Sequence, residues 1–155
     1  MPRSPRAAWT EWCATPDELT GLPSEHHGRY TQFTEVEPLP RARIYLIDKT
    51  DDMKSKPASN EPLNFTGTTD RVYPNTTATC VIHDHLNKRH ISVAKTNSNT
   101  TVVFNPWKEM PDLGTDEWHE MLAVETVNAA VNKVTLEQGK THTMQAHISV
   151  ENGKP

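Results

Sequence analysis

From Arg43 onward the chain breaks into short β-prone runs separated by polar turn clusters, and this punctuation limits the fold more than any other feature. Short apolar runs rich in β-branched and aromatic residues, closed by Pro, Gly, Asn or Asp, read as strands. The runs are R-I-Y-L-I (43–47), L-N-F-T-G-T-T-D-R-V-Y (63–73), Thr79–Ile82, His90–Ala94, Val102–Phe104, Met121–Asn128, Lys133–Leu136 and Thr141–Val150. The last is the most regular. Met144, Ala146, Ile148 and Val150 alternate with Thr143, Gln145, His147 and Ser149, the period-two pattern of a half-buried antiparallel strand. It is expected to form a hairpin with Lys133–Leu136 across Glu137-Gln138-Gly139-Lys140. A second hairpin is expected between Thr79–Ile82 and His90–Ala94, joined by the polar segment His83–Arg89. Met53–Pro62 reads as loop, and Gly67 as a bulge or a close backbone approach. Eight short strands with almost no helix imply an all-β protein, an antiparallel β-sandwich.

Residues 1–42 differ. Pro2, Pro5, Pro16, Pro23, Pro38 and Pro40 are half of the 12 prolines, and no periodicity is sustained between them. This segment reads as an irregular Pro-rich arm, with a brief helix over Pro16–Leu19, capped by Thr15, as its one candidate element. The sandwich is expected over 43–151 and a tail over 152–155. A hydrophobic share of 34% and a mean hydropathy of -0.71 suit a loop-rich β domain with such an arm.

A net charge of -4 and a pI near 6.0 argue against nucleic acid as a partner, which needs a basic surface. Cys13 and Cys80 form neither a disulfide framework nor a zinc pattern. The first residues lack the apolar run of a secretory signal, and no stretch approaches the roughly 20 apolar residues that span a bilayer. The expectation is a soluble cytoplasmic protein without a membrane partner. N-x-[ST] matches at Asn64, Asn75 and Asn99 read as chance in a chain rich in Thr and Asn.

The stretch Val102–Asn128 is the one that looks built for chemistry. Its first strand is stopped by Asn105-Pro106, because proline cannot donate to a ladder. Thr115, with Asp116 and Glu117 behind it, caps a short helix through about Glu120. Met121–Asn128 is mostly apolar on both faces and reads as a buried strand, yet it carries Glu125. A buried carboxylate needs a reason, because an unpaired charge out of water costs several kcal/mol or shifts its pKa upward. Glu125 is a general base, one half of an ion pair with Arg or Lys, or a side chain on a wet face. His83-Asp84-His85 with His90 reads either as metal ligands or as solvated loop side chains. Trp107 and Trp118 suit stacking on a ligand ring or packing in the core or at its rim.

Six strings together resemble a known family: Y-L-I-D-K-T-D-D (45–52), F-T-G-T-T-D-R-V-Y (65–73), V-V-F-N-P-W (102–107), M-P-D-L-G-T-D-E-W (110–118), M-L-A-V-E-T-V-N-A (121–129) and V-T-L-E-Q-G-K-T-H (134–142). In order and spacing they look like the C-terminal half of the hexose-6-phosphate mutarotases, the glucose-6-phosphate 1-epimerases of the aldose 1-epimerase-like group. The resemblance covers roughly residues 44–150. It implies a partial β-sandwich of the galactose mutarotase type and interconversion of the α and β anomers of an aldose 6-phosphate, with no cofactor and no metal. It also implies Glu125 as general base and Asp70 as a ligand of sugar hydroxyls, where the residues alone read Asp70 as a surface turn. The family's catalytic histidine lies in a different string, and His26 or His27 in S-E-H-H-G-R-Y stands at nearly the right separation, so His27 is the candidate acid. The alternative is a truncated sandwich that binds carbohydrate or protein without catalysis. A half-fold leaves long edges, so self-association through exposed sheet edges is expected.

Overall fold

The computed structural model describes residues 35–36, 45–59, 61–85, 87–111, 113, 117–119 and 121–153. Ten strands pair there into two five-stranded sheets, and every ladder is antiparallel. Sheet I contains β1 (Glu35–Val36), β4 (Leu63–Asn64), β6 (Cys80–Asp84), β7 (Arg89–Thr96) and β10 (Gln145–Asn152), in the order β10-β7-β6-β1-β4. Sheet II contains β2 (Tyr45–Asp48), β3 (Lys54–Pro57), β5 (Thr69–Pro74), β8 (Thr100–Asn105) and β9 (Ala123–Val127), in the order β3-β2-β5-β8-β9. Short 3₁₀ turns at Glu117–His119 and Ala130–Asn132 flank β9.

The sheets pack face to face because alternate residues of each supply an apolar layer. Sheet I contributes Cys80 and Ile82, paired across the β6–β7 hairpin with Val93 and Ile91. Sheet II contributes Leu46, Tyr73 and Val103, and Phe65 and Leu122 close the cluster from connecting segments. All are buried. Burial raises the pKa of the Tyr73 hydroxyl, since the phenolate is the form that loses most by leaving water. Lys95 lies on the same face of β7 as Ile91 and Val93, and its Nζ reaches across to donate to Thr101 Oγ1 of sheet II at 2.7 Å. That burial lowers its pKa to about 8.

Polar turn residues hold the connections between strands. The β6–β7 loop winds around Asp84, wholly buried, whose carboxylate accepts from Asn87 N at 3.1 Å, Asn87 Nδ2 at 2.9 Å and Arg89 Nε at 2.6 Å. At the β7–β8 corner Asn128 Oδ1 accepts from Asn99 N, and Asn128 Nδ2 donates to Asn97 O. Asn132 Oδ1 accepts from Asn75 N and Thr100 Oγ1. Such amides satisfy turn backbone that no ladder reaches.

Several expectations change. Met53–Pro62 is not all loop, because Lys54–Pro57 pairs with β2 as an edge strand, where lysines and a terminal proline are tolerated. Lys133–Leu136 forms no strand, and the regular segment at 145–152 pairs with β7 instead of folding back on it. The local turn exists, with Lys140 N donating to Glu137 O at 3.1 Å, but a distant strand offered a longer ladder. Residues 63–73 split into β4 and β5 in different sheets, and Gly67 faces open space, with no close neighbour. Two residues of the segment read as an irregular arm, Glu35–Val36, bridge β4 and β6. The Thr79–His90 region forms the expected hairpin, extended at both strands. The candidate helix at Pro16–Leu19 and the Thr115 cap lie outside the described residues.

Candidate active site

β8 is a central strand of sheet II, and its register places the two carboxylates singled out in the sequence. Asp70 of β5 lies opposite Phe104, which lies opposite Ala123 of β9. One row along, Val72 lies opposite Val102, which lies opposite Glu125. Directly paired residues share a face, and so do residues two apart along a strand. Asp70 and Glu125 therefore stand on one face of sheet II, the face turned away from the core residues Tyr73 and Val103. Two strand spacings by two residues of rise put their Cα atoms about 12 Å apart.

The floor between them is apolar. Val72 and Val102 are each 7% exposed, and Ala123 is buried as well. Glu125 itself is half-buried, and β9 is the edge strand of its sheet, with only Ala123 fully buried. The expectation of a strand buried on both faces is thus corrected: one side of β9 has no neighbouring strand among the described residues, so water reaches most of its side chains. Asp70 is a strand residue and not a surface turn. Lys49 Nζ lies 2.7 Å from its Oδ1 and 2.8 Å from its Oδ2, and Lys49 N donates to Asp70 O at 2.9 Å.

The approach to β9 is held by one side chain. Asn105, wholly buried, donates from Nδ2 to Trp118 O at 3.0 Å and Met121 O at 2.5 Å, while its Oδ1 accepts from Trp107 N at 2.8 Å. It ties both ends of the 106–121 connection to β8. Trp107 takes a positive φ of 54° just after Pro106, a conformation a bulky residue adopts only when surroundings impose it. Its ring packs on the core and lies 5.2 Å from that of Trp118. These tryptophans meet each other at the rim.

His83 and His90 are cross-strand neighbours with ring centroids 4.7 Å apart, and His85 stacks 6.0 Å from His83. Among the described residues no group of three or more His, Cys, Asp or Glu side chains has the geometry to hold a metal ion. No helix among them is long and apolar enough to cross a membrane. His26 and His27 lie outside the described residues.

The Aldose 1-epimerase family matches residues 22–149 of the chain, and the chain belongs to that family. No curated protein sequence matches it. Among solved structures, it is similar to YeaD from Salmonella typhimurium, a mutarotase by assignment, at 31% identity over 62% of this chain and 32% of that one, with a TM-score of 0.54. It is similar in fold to HI1317, at 22% identity over 78% of this chain and 41% of that one, with a TM-score of 0.61. The chain thus spans between a third and about two-fifths of the lengths of these structures, and its sandwich is of the mutarotase type.

Two residues were missed by reading the sequence. Lys49 appeared as one polar residue in a turn cluster, and its contact with Asp70 links positions 21 apart. Asn105 appeared as a strand stop. The only sequence signal for either is its place inside a family-like string, Y-L-I-D-K-T-D-D or V-V-F-N-P-W.

Proposed function

We propose that the chain carries part of the active site of an enzyme that interconverts the α and β anomers of an aldose 6-phosphate such as glucose 6-phosphate. Glu125 acts as general base on the anomeric hydroxyl, and Asp70 holds a sugar hydroxyl. His27, or its neighbour His26, supplies the proton to the ring oxygen. The C1–O5 bond then breaks to give the open-chain aldehyde, the C1–C2 bond rotates, and reclosure with the proton transfers reversed gives the other anomer. The observation that carries this reading is the placement of Glu125 and Asp70 on one face of one sheet, over an apolar floor that lowers the local dielectric. The family match begins at residue 22 and so includes both histidines. The phosphate rests on the resemblance of the six strings to the hexose-6-phosphate mutarotases.

A second reading, a sandwich that binds carbohydrate or protein without catalysis, is favoured by the Lys49 ammonium group that already engages the Asp70 carboxylate. One experiment separates the two. Freshly dissolved α-glucose 6-phosphate is mixed with the chain and anomer exchange is followed by NMR, beside Glu125→Gln and with glucose as the competing substrate. The enzyme reading expects exchange above the buffer rate, faster for the phosphate ester, and lowered by about 10² to 10⁴-fold in Glu125→Gln. Exchange at the buffer rate rejects catalysis by this chain, and equal rates in both proteins reject Glu125 as the base.

A further inference from the structure

The edges of a sheet present unpaired backbone N–H and C=O groups, and proteins shield them with short strands, lysine, proline or inward charge. Among the described residues the two sheets have four edges, and two are shielded in one of these ways: β3 reads K-S-K-P and β4 has only two residues. β9 is short, at five residues, with Glu125 on the face turned away from the core. β10 is different. It reads Q-A-H-I-S-V-E-N, eight residues without Lys, Pro or Gly, and all but one of them are exposed. Its register pairs Val150 with Ile91 and Ile148 with Val93, so its inner face continues the core layer of sheet I. Ile148 and Val150 remain 48% and 49% exposed there.

The strand is also complementary to itself. Run antiparallel against a copy and centred on Ser149, it sets Ile148 of one chain against Val150 of the other, and His147 against Glu151, each pair occurring twice. Apolar residues meet on the inner face and an acid meets an imidazole on the outer face, with no like charges opposed. Centring on Ile148 or Val150 instead places Glu151 against Gln145 or Ser149 and loses the charge pair. We propose that β10 is the docking edge for a second copy of this chain, the two strands pairing antiparallel about Ser149 so that two five-stranded sheets become one continuous sheet. A two-fold axis through Ser149 makes the contact isologous and closed, which limits assembly to a dimer. The inference stands independently of the sugar chemistry.

Sedimentation of the full chain tests it over about 1 to 200 µM, a range suited to a small interface. The mass is expected to rise from 17.5 kDa to twice that value with concentration. Ile148→Lys and Val150→Lys should stay monomeric with unchanged circular dichroism and melting temperature, because both sites are already half in water. Ser149→Cys, in a Cys13→Ser background, should form an intermolecular disulfide on oxidation, since directly opposed Cα atoms lie about 4.5 to 5.5 Å apart. Gln145→Cys should not. A monomer at every concentration overturns the proposal, including the case in which β10 amides are protected by another segment of the same chain. A dimer that survives both lysine variants, or a Ser149→Cys chain that fails to cross-link, places the interface elsewhere and also overturns it.

Discussion

Asn105 and Asp48 show how single buried polar groups hold this molecule, each by making every bond its position demands. Replacing Asn105 by Ala strips partners from two carbonyls and one amide at once. The expected cost is about 2 to 4 kcal/mol in urea denaturation, at the upper end for a point change because buried groups are left unpaired. Asp48, 6% exposed, accepts from Lys56 Nζ at 2.8 Å, Thr50 Oγ1 at 2.6 Å and Thr50 N at 3.0 Å. The Lys56 bond above all, then the Thr50 hydroxyl, lowers its pKa from 3.8 to about 2. The folded state therefore binds this proton less tightly than the unfolded chain. The stabilisation is full above 3.8 and is lost as pH falls through about 2. Asp48→Asn is expected to be less stable at neutral pH, by on the order of 1 to 2 kcal/mol, and less sensitive to acid in that window. Denaturation curves on both sides of the window check this; a variant as acid-sensitive as the parent contradicts it. Neither residue could be ranked from sequence, since Asp48 reads as the first residue of a polar turn and Asn105 as a strand stop until the chain returns to meet them.

At the scale of elements, the strands with strong β composition were legible and their partners were not. The run at 145–152 announces a strand by its alternation, but β7, some fifty residues upstream, takes it, because eight paired residues outweigh a short local hairpin. β3, K-S-K-P, lacks every compositional sign of a strand and exists because β2 has a free side to fill. The end of β10 is fastened at one place, where Gly153 N donates to Lys88 O at 2.6 Å and a Cβ at 153 would stand 2.9 Å from that oxygen. Gly153→Ala should cost about 1 kcal/mol and speed amide hydrogen exchange selectively in β10. Unchanged protection there would show that the glycine is not needed for the closure.

For the whole molecule, the apolar residues that remain outside the core matter as much as those within it. Val131, Val134, Leu136 and Met144 are exposed together with Ile148 and Val150. Exposed apolar side chains of this size bind hydrophobic dyes where they adjoin. The native chain is expected to enhance the fluorescence of such a dye, and Leu136→Ser with Val131→Ser to reduce it without loss of melting temperature. By itself the sequence determined the class of fold, because short β-branched runs closed by Pro, Asn and Asp can bury their apolar faces only as antiparallel sheets packed on one another. It also marked Glu125, since a carboxylate amid Met, Ala and Val stands out in any register. Only the tertiary structure decided that Glu125 and Asp70 share a face, that Lys49 holds Asp70, and that β10 is an edge among the described residues. Strand order and register join residues tens of positions apart, and a period of two says which face a residue takes but never which strand will lie beside it.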